Sequence, residues 1–298
     1  MDAWKMRWGV GQWAAYFDNH DLPVMRRSKL LMAQLEEAEG ELLSPRDLAD
    51  VVLQDPMLCL RLLREAERRK SHRLDHETTT ALAAILQLGV DQFRKLLLSS
   101  PEVDETNKGL LAVETRARIA AQIALAWAKG RMDLNPEEVA VAALLAGTGD
   151  LLLWVYGAEI PQKAERELLS GRAQRSAQAQ TQACGFTFKQ LTLLCAERWK
   201  LPALVIQLLR GVESMRAALT RISSNAARHL LDDSETSNLA LANDLVEAAK
   251  LIPNATLEWL IEGLAMLPEE RRAGLYEVAH GLLASEGEYS VKNGLFPF

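Results

Sequence analysis

The chain carries five histidines, His20, His72, His76, His229 and His280, and none lies between residues 77 and 228. A metal that activates water or clamps a phosphoryl group needs several imidazole and carboxylate ligands converging on it. His72 and His76 stand at i, i+4, a spacing that can place two ligands on one helix face. They sit in RRKSHRLDHETTT, a charged stretch with no third ligand motif beside it, so a solvated loop is the better reading. Asp150, even joined by Asp133, supplies too few ligands for a borderline metal. An all-carboxylate magnesium site needs more carboxylates or a bound phosphate. The residues therefore assign no metal ligand, no catalytic group and no cofactor.

Three other groupings invite chemistry. Gly147-Thr148-Gly149 lacks the G-x-x-x-x-G-K-[ST] pattern of a phosphate loop and follows a helical pattern instead of a strand, so it reads as a tight turn. Ser99-Ser100 and Ser223-Ser224 lack a nucleophile-elbow pattern. Cys59, Cys184 and Cys195 are few, odd in number and set among apolar residues, which predicts reduced, buried thiols. The basic run Arg64, Arg68, Arg69, Lys70, His72 and Arg73 is the remaining candidate. Arg64, Arg68, Arg69 and Arg73 could contact a phosphate or an acidic partner. Glu65, Glu67 and Asp75 interrupt the run, and cations at a helix C-terminus also complement its dipole. A solvated helix end is the competing reading.

The elements that must carry these residues are helices. Period-2 alternation and hairpin signals are missing, while caps and 3.6-residue stripes recur. Pro23 opens a segment with Val24, Leu31, Leu35 and Ala38 on one face, closed by Gly40. Ser44-Pro45-Arg46-Asp47 is a helix start. Gln54-Asp55-Pro56 ends that helix and begins another, with Cys59, Leu62, Leu63 and Ala66 inward. Thr187-x-x-Gln190 is a capping box ahead of the stripe Phe188, Leu191, Cys195 and Trp199. Trp127, Trp154, Trp199 and Trp259 fall on apolar helical faces and are expected in the core. The central element is NPEEVAVAALLAGTGDLLLW, from Asn135 to Trp154. Its seven apolar residues Val139–Leu145 predict a helix surrounded on all sides.

The 298 residues include 49% hydrophobic and 25% charged residues, enough for a sizeable core. A net charge of −6 gives no support to nucleic-acid binding. No apolar run approaches the ~20 residues of a membrane span, and MDAWKMRWGVGQW lacks the apolar core of a signal peptide. That tryptophan-rich start could lie on a membrane surface, but Lys5 and Arg7 are its only basic residues. No membrane contact and a cytoplasmic location are expected.

Several blocks, in order, resemble the HDOD family of bacterial signalling proteins. They are Leu22-Pro23, Ser44–Leu48, VVLQDPMLCLRLLREA (Val51–Ala66), Ala84–Gly89, AALLAGTGDLLL (Ala142–Leu153) and GFTFKQLTLLCAERWKLP (Gly185–Pro202). The Asp-Pro-x-Leu and Trp-x-Leu-Pro blocks are the most specific. The resemblance implies an all-α, HD-like multi-helix bundle (HDOD) with additional C-terminal helices. The expected organisation is an N-terminal helical extension at 1–19, the HDOD-like domain at 20–215 and a C-terminal helical segment at 216–298. It also implies a relation to HD-type phosphohydrolases, whose full metal site the family lacks. Where many relatives end the central helix in a Leu-Leu-His-Asp-type sequence, this chain has Leu144-Leu145-Ala146-Gly147. Ala66-Glu67-Arg68 stands where relatives often carry Ala-Asn-Ser, and the paired histidines that often follow the Trp-x-Leu-Pro block are missing. Ala146, Gly147 and Asp150 thus mark a vacated metal-site turn. The expected function is a non-catalytic regulatory module, working with other signalling proteins or a small ligand. Residual phosphohydrolase activity on a nucleotide and a purely structural helical scaffold stay open as alternatives.

Overall fold

The computed structural model describes residues 4–39, 43–69, 77–264 and 266–292. His72, His76, Arg73, Gly40, Phe296 and Phe298 lie outside the described residues. All regular structure among the described residues is helical, apart from an isolated parallel bridge between Val24 and Glu102. The fold is all-α, as the caps and stripes predict.

Local signals set most helix starts. Ser44 accepts from Arg46 N and heads the Pro45–Val52 helix. Asp55 accepts from Met57 N and Leu58 N at 3.0 Å and heads Pro56–Arg68. Thr187 and Gln190 form the reciprocal capping box of Phe188–Arg198. Each side chain satisfies amide donors that the first turn leaves orphaned. Cys59, Leu62, Leu63 and Ala66 are all fully buried, as their spacing predicts.

One stretch departs from expectation. The second long helix begins at Arg26, not at Pro23, because Val24 pairs with the chain beyond Pro101: Val24 N donates to Pro101 O at 2.8 Å and Val103 N to Val24 O at 3.0 Å. Its buried face carries Ser28 and Met32. Leu31 and Leu35 are only partly covered and Ala38 is exposed.

The chain forms two compact units, Met1–Arg118 with Leu144–Val212, and Ile119–Ala143 with Glu213–Phe298. This division differs from three consecutive segments at 1–19, 20–215 and 216–298. In the first unit, helix Val10–Asp18 packs on Phe188–Arg198 and buries Trp13, Ala14 and Phe17 completely, so it is an integral part of that unit's core. Trp8, Trp13, Tyr16 and Phe17 pack ring against ring. In the second unit, Trp127 is fully buried and its Nε1 donates to Leu260 O at 2.9 Å. A Cβ at Gly130 would stand 2.5 Å from Ile252, so the end of helix Lys108–Ala128 packs tightly on the C-terminal helices. Trp259 is half-buried, not in the core.

Val139–Leu145 are buried on every side, as predicted for the central helix. Pro136–Tyr156 together, 21 residues, is apolar and long enough to cross a membrane by length and composition, which corrects the expectation that no run approaches that size. Most of it is buried inside the protein, where an apolar helix needs no lipid.

Candidate functional site

The turn after the central helix is a packed joint. Thr148 Oγ1 donates to Leu145 O at 2.7 Å, and Gly149 N donates to Thr192 Oγ1 at 2.9 Å. A Cβ on Gly149 would stand 2.4 Å from the Phe188 carbonyl oxygen, so the Thr148–Tyr156 and Phe188–Arg198 helices touch backbone to backbone there. Gly147 has a negative φ of −94°, and a Cβ on it would meet only Val113 at 3.8 Å. Glycine is therefore needed for packing at 149 and not at 147.

Asp150 is the one carboxylate of this turn. It pairs with Arg116, with Arg116 Nη2 3.6 Å from Oδ2. Burial pushes its carboxyl up to about 6, the Arg116 charge and a Trp154 hydrogen bond oppose the shift, and nearby Glu165 adds to it. The surroundings hold an arginine, a second acid and apolar side chains. Among the described residues no group of three or more His, Cys, Asp or Glu side chains converges to hold a metal ion. The donors present at Ala146–Asp150 do not fit a di- or mononuclear hydrolase centre. The described histidines are engaged elsewhere: His20 Nδ1 with Tyr16 O at 2.7 Å, His229 Nδ1 with Asp244 Oδ2 at 2.7 Å, and His280 stacked on Tyr276.

The shifted Asp150 makes a pH prediction. Its folded pKa lies above the ordinary carboxylate value, so the folded state holds the proton more tightly. That contribution is fully present below about pH 4 and is lost as pH rises to about 6. With 21% of the side chain still in solvent, we expect a loss of about 1–2 kcal/mol across this window. Asp150→Asn should match the wild type at pH 4 and exceed its urea-unfolding stability by that amount at pH 7. Parallel pH profiles for the two proteins would show a solvated carboxylate instead.

The second candidate is the C-terminal end of helix Pro56–Arg68. Arg64 and Arg68 share one surface cleft with Asp18, Glu67, Arg198, Trp199 and Lys200, with a volume of about 440 Å³. Asp18 is committed to its neighbours: Oδ1 accepts from Trp199 Nε1 at 2.8 Å and Oδ2 from Arg198 Nε at 2.9 Å. The Arg64 guanidinium lies 4.8 Å over the Trp199 ring and donates to the Asp18 carbonyl at 3.2 Å. Burial lowers the Arg64 pKa, Asp18 opposes this, and the charges of Arg68 and Arg61 lower it further. A second cavity of about 290 Å³ shares Asp18, Arg64 and Arg68 and is lined also by Arg61, His20, Asp21 and Glu65. Arg69 turns away, to Glu65 at 2.6 Å and Gln92 at 3.4 Å. The basic run is thus split: Arg64 and Arg68 meet in the cleft, Arg69 leaves it, and Arg73 is outside the described residues. Asp18, Arg198 and Lys200 come from distant sequence. The charges flanking Trp199 were the only signal that could have flagged two of them.

The all-helical build defines the class: a helical bundle of HD-like form. The HDOD domain family model matches residues 27–215, and the chain belongs to the HDOD family. Two solved structures share the fold. The MmoQ response regulator of Methylococcus capsulatus str. Bath is 19% identical, with a TM-score of 0.58, over 87% of this chain and 98% of its own. A virulence factor of Campylobacter jejuni subsp. jejuni is 15% identical, with a TM-score of 0.68, over 92% and 99%. No curated protein matches the chain.

Proposed function

We propose that this chain is a non-catalytic regulatory module that passes a signal through contacts with other signalling proteins or a small ligand in the cytoplasm. The observation that carries this reading is the build of the Ala146–Asp150 turn. Its single carboxylate is spent on Arg116, and Gly149 is buried against the Phe188–Arg198 backbone. A water-activating metal needs an open coordination position and several ligands, and this turn offers one paired carboxylate. The family membership supports a regulatory role, and the exposed cleft around Arg64 and Arg68 gives such a module a polar surface on which to act.

The test is direct. Purified chain, loaded with manganese or zinc and then desalted, should retain well under about one metal per chain. It should turn over neither cyclic dinucleotides, guanosine polyphosphates nor a generic phosphodiester with added manganese or magnesium. Stoichiometric metal and turnover, both lost in Asp150→Asn, would overturn the reading in favour of a hydrolase.

A further inference from the structure

We infer that the cleft between the end of helix Pro56–Arg68 and the Trp199–Lys200 corner binds a phosphoryl group, held by Lys200, Arg68 and the edge of the Arg64 guanidinium. The inference goes beyond the regulatory reading and rests on other residues. The metal and turnover assays test Asp150, and the binding assay below tests the cleft, so either can fail alone.

Four cations and two carboxylates line this cleft. Asp18 accepts from Trp199 and Arg198 and its charge also acts on Arg64, which leaves the cations of the cleft in excess of its carboxylates. Arg68 pairs with Glu65 at 3.2 Å, and 73% of its side chain is in solvent. Such a surface pair is worth little and is readily exchanged for a better acceptor. Lys200 is exposed and makes no ion pair among the described residues. The Trp199 ring fixes the Arg64 guanidinium in place, so its planar donors are oriented before a ligand arrives. Fixed arginine donors beside an exposed ammonium suit a tetrahedral, doubly charged group better than a planar carboxylate. The second cavity includes Asp21 and Glu65 and has no such excess of positive charge.

The backbone adds an independent observation. Lys200 sits at φ +54°, in the left-handed region that favours glycine or asparagine. It follows the C-cap Trp199, and Leu201 N closes the helix end on Ala196 O at 2.9 Å. Glycine would serve this corner with less strain. A lysine there costs conformational energy and adds a cation to the cleft's lining.

That corner supplies a clean variant. Lys200→Gly should leave the unfolding midpoint of the full chain unchanged or raised while weakening phosphoryl binding. The probes are inorganic pyrophosphate, a phosphoserine peptide and its unphosphorylated counterpart, each titrated calorimetrically into the full chain. We expect saturable binding that falls with rising salt, and a loss of about five- to tenfold in Lys200→Gly and in Arg68→Gln. Binding of pyrophosphate identifies a small phosphorylated molecule as the source, and binding of the phosphopeptide alone identifies a phosphorylated partner protein. No saturable binding of any phosphorylated probe, equal binding of the unphosphorylated peptide, or wild-type binding by both folded variants would overturn the inference.

Discussion

Asp55→Ala should destabilise the first unit by about 3–5 kcal/mol, the largest effect expected of any single polar substitution in it. Asp55 is fully buried. One carboxylate oxygen accepts from Met57 N and Leu58 N, capping helix Pro56–Arg68. The other accepts from Met25 N at 2.7 Å and Ser28 Oγ at 2.8 Å, from the start of helix Arg26–Glu39. Burial pushes the carboxyl pKa up, while these donors and the Arg27 charge pull it back. Alanine would strand three amides and a hydroxyl in a dry site, and nearby Arg27, ion-paired with buried Glu114, would lose a compensating negative charge. Asp55→Asn should cost less, about 1–2 kcal/mol, because its oxygen can keep the two cap bonds while its NH₂ faces the Met25 donor. Urea unfolding followed by tryptophan fluorescence reads both. An Asp55→Ala protein within ~1 kcal/mol of the wild type would show that the four bonds are not a structural hub.

Gly149→Ala should cost about 2–3 kcal/mol, while Gly147→Ala, two residues away, should cost less than ~1 kcal/mol. The contrast follows from what each new Cβ would meet. At 149 it would stand 2.4 Å from the Phe188 carbonyl oxygen and 3.0 Å from Thr192 N, both backbone atoms in a helix that cannot turn aside. The two helices would have to separate, stretching the Gly149 N to Thr192 Oγ1 bond. At 147 the nearest atom is a valine methyl at ordinary contact distance, and the φ is one any residue adopts. Equal costs at the two positions would contradict the packed joint.

Much of this protein is legible in its sequence because the relevant forces are local. Ser44, Asp55 and Thr187 cap helices through amides two or three residues away, so the residue types and their spacing suffice to place the helix starts. The apolar run Val139–Leu145 admits no exposed face, which made its complete burial predictable. The ordered Asp-Pro and Trp-x-Leu-Pro blocks pointed to the family that the match over residues 27–215 shows.

Tertiary structure decided what depends on partners far along the chain. Which stripe of helix Arg26–Glu39 turns inward, Ser28 and Met32 or Leu31 and Leu35, follows from its neighbours and not from its own periodicity. The second pair of donors to Asp55 comes from 27 and 30 residues away. The division into two units follows from Trp127 and Gly130 meeting Leu260 and Ile252. The basic run read from sequence became a cleft only where the fold brought Asp18 and Trp199 against Arg64, across 181 positions between the first two. Local interactions are written in neighbouring residues; a site assembled from distant ones exists only once the chain has closed on itself.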